Sequence, residues 1–232
     1  GAEVIVTSDP EAVRAADRIV LPGDGAFPAC RAALDAVPGM VGVLREAVLD
    51  RGVPFMGICV GMQMLADLGH EYRDTEGLGW IGGEIDAIRA PGLKVPHMGW
   101  NDLTVLNPHP VLEGIVSGDH AYFVHSWQFR VKDPAHLLAC ADYGGPVTAV
   151  VGRDNIVGTQ FHPEKSQDVG QRIIGNFLRW RPRGAPRAGG GGAPPFRRAA
   201  RGGCPRPPGG AVLGGPLLRG GRGLGDELDE AD

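Results

Sequence analysis

Apolar residues recur in two alternating rhythms along the first part of the chain. Short strand-like runs stand at Glu3–Thr7, Arg18–Leu21 and Val53–Ile58, and segments with helical spacing lie between them. Ser8-Asp9-Pro10 offers an N-cap with proline in the first helical turn, which predicts a short helix to about Ala16. Pro22-Gly23-Asp24-Gly25 closes the second strand in a glycine turn. A helical region then covers roughly Phe27 to Arg51, broken at Pro38-Gly39, and its second half sets Val41, Leu44, Val48 and Leu49 on one face. A helix from about Val60 to Leu68 follows the third strand. Between Gly79 and Val151 the rhythm changes to short strands, including Leu93–Val95, Asp102–Val105, Ala121–Val124 and Val147–Val151. Asn155–Phe161 reads as the last strand and Val169–Trp180 as the last helix. The implied class is α/β: a mostly parallel sheet flanked by helices on both faces, with added antiparallel hairpins over the strand ends.

Composition narrows this picture. A length of 232 residues with 43% hydrophobic and 22% charged content suits one sizeable soluble domain. Residues 1–181 form that domain. Residues 182–232 are dominated by Gly, Pro and Arg and have little with which to build a core, so an inert, disordered tail is expected there. Its Arg/Gly tract is offset by the acidic Asp226-Glu227-Leu228-Asp229-Glu230 end. A net charge of −4 likewise argues against a nucleic-acid binder. No run approaches the roughly 18 apolar residues a membrane span needs. The cysteines Cys30, Cys59, Cys140 and Cys204 are scattered without a CxxC pair, which points to a reducing cytoplasm.

The candidate chemistry centres on Gly57-Ile58-Cys59-Val60-Gly61. A strand that turns abruptly into a helix needs small neighbours, and glycines flank Cys59 on both sides. Such an elbow exposes the sulfur at the sheet edge above a helix N-terminus, which favours the thiolate. A structural cysteine in a tight βα turn fits this segment equally well. His162-Pro163-Glu164 after the last strand tips the balance. A histidine at a strand end can serve a thiol as general base, and a carboxylate two residues on can fix its tautomer. The Pro22–Gly25 turn can aim backbone N–H groups at developing negative charge. A metal site from Cys59, His97, His125 and His162 lacks the usual ligand spacing, and no cofactor is called for.

Gly-Ile-Cys-Val-Gly-Met-Gln with a later Phe-His-Pro-Glu-Lys-Ser resembles the class I, triad-type glutamine amidotransferases. Val95–Asn101 and Tyr122–Trp127 resemble one branch, the glutaminase subunits of imidazole glycerol phosphate synthases of histidine biosynthesis. The likeness covers about residues 1 to 180. It implies that Cys59 attacks the side-chain amide of L-glutamine, His162 shuttles the proton and Glu164 orients His162. It further implies oxyanion donors at Val60 and the Gly23–Gly25 turn, and a glutamine pocket lined by Gly25, Gln63, His125, Ser126 and Trp127. The implied partner is a (β/α)₈ cyclase subunit in a heterodimer. Trp100, Tyr122 and Lys165 match interface positions, and the isolated chain is expected to be weakly active.

Two features depart from the family pattern. The family's first βα unit, with its Asp-Tyr-Gly…Gly-Asn segment, has no counterpart here, which would expose a strand edge. Asp24 stands where Val is usual, so its carboxylate is expected to face solvent or to pair with a cation. Rival readings are an amidotransferase serving another acceptor, a cysteine hydrolase of γ-glutamyl peptides, and a non-enzymatic docking partner.

Overall fold

The computed structural model describes residues 2–182. The expected tail therefore lies, but for Pro182, outside the described residues. The elements run in the order α1 (Pro10–Ala15), β1 (Ile19–Gly23), α2 (Phe27–Asp35), α3 (Met40–Arg45), β2 (Phe55–Cys59), α4 (Val60–Gln63), β3 (Leu68–Gly69), β4 (Thr75–Glu76) and β5 (Gly83–Ala87). There follow β6 (His97–Asp102), β7 (Thr104–Val105), β8 (His120–His125), β9 (Trp127–Val131), β10 (Leu137–Asp142), β11 (Pro146–Arg153), β12 (Ile156–Thr159) and α5 (Gln167–Arg179). Among these residues no helix is long and apolar enough to cross a membrane.

The main sheet has the order β1-β2-β12-β11-β10-β7. Its parallel part is β1, β2 and β12, with β2 in the middle. The remaining strands extend it in antiparallel fashion. Successive residues of β2 feed opposite faces: Phe55 packs in one core with Phe27, Leu44 and Met62, and Met56 packs in the other with Ile173 and Phe177. Each face is thus covered by helices, as the alternating pattern predicts. A second sheet has the order β4-β3-β5-β9, and β6 pairs with β8 as an antiparallel hairpin.

Asp9 caps α1 by accepting the Glu11 backbone N–H, with Pro10 at the first helical position. The predicted break at Pro38-Gly39 is present, and the chain ends this region in a π-helical turn over Glu46–Asp50.

Three expectations need correction. Glu3–Thr7 is not a strand, and Val4, Ile5 and Val6 are 70–98% exposed. A β pattern becomes a strand only beside a hydrogen-bonding neighbour, and β1 is the sheet's edge. The helix after Cys59 stops at Gln63 instead of running to Leu68. The carbonyls of Met64, Leu65 and Ala66 are taken by the N–H groups of Leu78, Trp80, Ile81 and Gly79, so the loop replaces the helical ladder. Leu93–Val95 is irregular rather than a strand, with Leu93 40% and Val95 45% exposed.

Two buried histidines, His97 and His125, and the partly buried His109 weaken the fold against acid. Burial pushes His97 and His109 down to about 4 and His125 to about 3. All three lie below the unfolded value near 6.5, so the unfolded chain takes up protons first as the pH falls. Their stabilisation is complete above that value and is lost below it. Urea unfolding should therefore show stability unchanged from pH 8 to 7 and lower at pH 5.5, by on the order of 1 kcal/mol per histidine. Equal stability at pH 7 and 5.5 would refute this.

Candidate active site

The elbow is built by close backbone approach. Cys59 adopts φ 55° and ψ −113°, a left-handed conformation unusual for a residue with a side chain. Gly61 permits it: a Cβ there would collide with the Leu21 carbonyl of β1, and one at Gly57 would meet the Gly61 backbone at 2.5 Å. The parallel register sets Gly23 opposite Cys59, which brings the Gly23–Gly25 turn alongside the sulfur. Gly25 has φ 111°, a region that favours glycine.

The strand ends open into a cleft of about 770 Å³. Cys59, His162 and Glu164 all line it, as do Gly23, Gly25, Val60 and Gln63. The opposite wall, at the corner between β8 and β9, supplies His125, Ser126 and Trp127. Every residue expected in the nucleophile and substrate sets is thus gathered in one cavity. His162 Nδ1 lies 2.7 Å from Glu164 Oε1, which leaves Nε2 for proton transfer. The histidine loop is tied down from β8. His162 N–H donates to the Tyr122 carbonyl at 3.1 Å, and Ser166 Oγ donates to the His162 carbonyl at 2.7 Å while accepting the Tyr122 N–H.

The thiol itself differs from expectation. Burial pushes Cys59 up to about 11, and the charges of Asp24 and Glu164 add to the rise against a lowering by the Val60 N–H. The four-residue α4 is too short to offset desolvation. Burial thus favours the neutral thiol at Cys59 over its anion. No hydrogen bond joins it to His162 among the described residues; its sulfur instead faces Gln160 Nε2 at 3.7 Å. Asp24 is exposed and forms no ion pair among the described residues, so it takes the solvent-facing option.

Sequence reasoning missed Glu71, which lines the cleft, and Gln160, which meets Cys59 from the buried side. Glu71 is 8% exposed, borders the cleft and accepts the Phe27 N–H at 2.7 Å, which holds the start of α2 just past the glycine turn. Gln160 is fully buried, and its Oε1 accepts from Gln63 Nε2 at 3.1 Å. Neither sits in a recognisable motif, and only long-range folding brings them to Cys59. Of the expected interface residues, Trp100 is 48% exposed and packs edge-on against half-buried Tyr122 at 5.8 Å. Lys165 is exposed at the rim of the cleft.

The model of the class-I glutamine amidotransferases matches residues 3–180. The chain belongs to this family. It is 60% identical over 182 residues to the imidazole glycerol phosphate synthase subunit HisH of Ruegeria pomeroyi, covering 78% of this chain and 86% of that protein. The corresponding subunit of Cereibacter sphaeroides is 62% identical with the same coverage. Among solved structures, a glutamine amidotransferase superposes with a TM-score of 0.58 at 23% identity, over 75% of this chain and 83% of that one, which speaks to the fold alone.

The electrostatics of this class-I amidotransferase site give two measurable expectations. Asp24→Asn removes a charge that disfavours the thiolate, so iodoacetamide should alkylate Cys59 about two- to threefold faster at pH 8. An unchanged rate would show that solvent fully screens Asp24. Ser166→Ala frees the His162 backbone and should lower glutaminase kcat about tenfold with little change in KM; a change confined to KM would contradict the positioning role.

Proposed function

We propose that Cys59, His162 and Glu164 hydrolyse L-glutamine and that the ammonia passes to a (β/α)₈ cyclase subunit of imidazole glycerol phosphate synthase, which uses it to form imidazole glycerol phosphate and aminoimidazole carboxamide ribotide. The observation that carries this reading is the shared cleft: a strained cysteine elbow, a His–Glu pair and a glycine turn meet in a chain about 60% identical to HisH subunits.

Glutamine enters with its side-chain amide toward Cys59. Of the carboxylates lining the cleft, the buried Glu71 is the one assigned here to its α-ammonium group. The sulfur attacks the amide carbon, the C–S bond forms, and the thiol proton moves to His162 Nε2. Backbone N–H groups of Val60 and the Gly23–Gly25 turn receive the developing oxyanion. His162 then protonates the amide nitrogen, the C–N bond breaks and ammonia leaves a thioester. Water, deprotonated by His162, cleaves that thioester to glutamate and restores the thiol. Glu164 keeps the imidazole in the tautomer that presents Nε2 throughout.

A neutral thiol without a histidine hydrogen bond describes a poorly primed site, which fits a glutaminase that waits for its partner. Trp100 and Tyr122, with Lys165 at the cleft rim, form the face offered to the cyclase. Glutamate release should thus be slow for the isolated chain and faster with a cyclase subunit and its nucleotide ligand. Cys59→Ala should abolish it, and Glu164→Gln should lower kcat by roughly 10²-fold or more. Glutamine hydrolysis by Cys59→Ala would overturn the assignment, and full turnover without the cyclase would overturn the dependence on a partner.

A further inference from the structure

A chain of hydrogen bonds runs from the β6–β8 hairpin to the nucleophile, and each donor in it can be assigned. Asn101 Oδ1 accepts the Asp102 N–H, which identifies the other atom as the amide nitrogen. That nitrogen donates to the Asp142 carbonyl at 2.8 Å and to His97 Nε2 at 3.1 Å. His97 therefore carries its proton on Nδ1, which donates to His125 Nε2 at 2.9 Å. His125 in turn carries its proton on Nδ1, which donates to the Trp127 carbonyl at 2.8 Å. Gln63 Nε2 donates to the same carbonyl at 3.2 Å and to Gln160 Oε1, and Gln160 Nε2 faces the Cys59 sulfur.

We propose that His97 is a positioning residue for the glutaminase site: through His125 and the Trp127 carbonyl it fixes the Gln63–Gln160 amide pair and so the Cys59 thiol. The inference rests on the reading of Cys59 as the nucleophile. His97 itself lines no part of the cleft. It is 2% exposed and is held between the rings of Phe123 at 4.6 Å and Tyr143 at 4.1 Å. The assignment leaves no room for a second proton on either imidazole, since each acceptor nitrogen already faces a donor. Burial favours the same neutral forms. The titratable groups facing His125 are His97 across the hairpin and His162 from the catalytic loop. The outer face of β6 carries Met98 and Trp100, both about half exposed, so the chain starts directly behind the surface offered to a partner.

The test uses the full chain with its cyclase subunit, comparing wild type, His97→Leu and His97→Asn. His97→Leu should lose about tenfold in kcat/KM for glutamine. His97→Asn, whose amide nitrogen can stand where Nδ1 stood, should recover most of the loss. The ¹⁵N imidazole shifts of wild type should report Nδ1–H tautomers for both histidines. An active wild type with an equally active His97→Leu, or an Nε2–H tautomer at His97, would overturn the proposal. Wild type that hydrolyses no glutamine would instead count against the assigned function. In that event Cys59 alkylation decides: a rate about threefold faster in His97→Leu supports the positioning role, and an unchanged rate refutes it.

Discussion

The site depends on one close approach, the Gly61 backbone resting on the Leu21 carbonyl of β1. Any side chain at Gly61 would push α4 away from the sheet. The Cys59 elbow would open, and the register that sets Gly23 opposite Cys59 would no longer place the glycine turn beside the sulfur. Gly23 and Gly57 serve the same contact from the two strands, since a Cβ on either would strike α4. The positive φ of Cys59 is a local cost of about 1–3 kcal/mol. Two covered faces of a six-stranded sheet supply the stability that offsets it.

The same burial that holds the elbow works against the chemistry. A thiol that is 7% exposed among apolar neighbours is stable as a thiol, not as an anion. The surroundings correct little of this. The Val60 N–H favours the anion, but Asp24 and Glu164 bring negative charge toward it. In the reaction proposed for this site, ionisation accompanies attack, with His162 taking the proton as the carbon–sulfur bond forms. A site organised in this way is quiet without substrate and without a rearrangement that brings His162 to the sulfur. Such restraint suits an enzyme whose product is free ammonia.

The sequence showed the parts of the site that are local. The glycines around Cys59 and the His162-Pro163-Glu164 triplet lie within single turns, so their spacing alone carries geometry. The Asp9 cap of α1 and the Pro38-Gly39 break were legible for the same reason. Glu71, Gln160 and His97 were not, because their roles arise from contacts with residues 28 to 101 positions away. Strand patterns failed where pairing, not propensity, decides. Val4–Val6 has ample β character and no partner strand, whereas β9 and β10 form from sequences with weak alternation because neighbours await them. The helix after Cys59 was overestimated because side-chain periodicity does not reveal which carbonyls a later loop will claim.

The remaining polar groups around the cleft obey a stricter rule than the apolar ones. Gln63, His97, His125 and Gln160 are each at least nine-tenths buried, and each is hydrogen-bonded within the chain that runs from Asn101 through the Trp127 carbonyl to Cys59. A satisfied buried chain costs little, but a single broken link strands a donor or acceptor at about 1–3 kcal/mol. The wall opposite Cys59 therefore has few alternative arrangements, and a rotation of one amide or imidazole forces the next to follow. Because β6 presents His97 and Asn101 inward and Met98 and Trp100 outward, pressure on the exposed side meets a chain that cannot absorb it locally. If His97 has the positioning role proposed for it, stiffness of this kind carries a contact on that exposed face to the sulfur without a hinge or a moving domain.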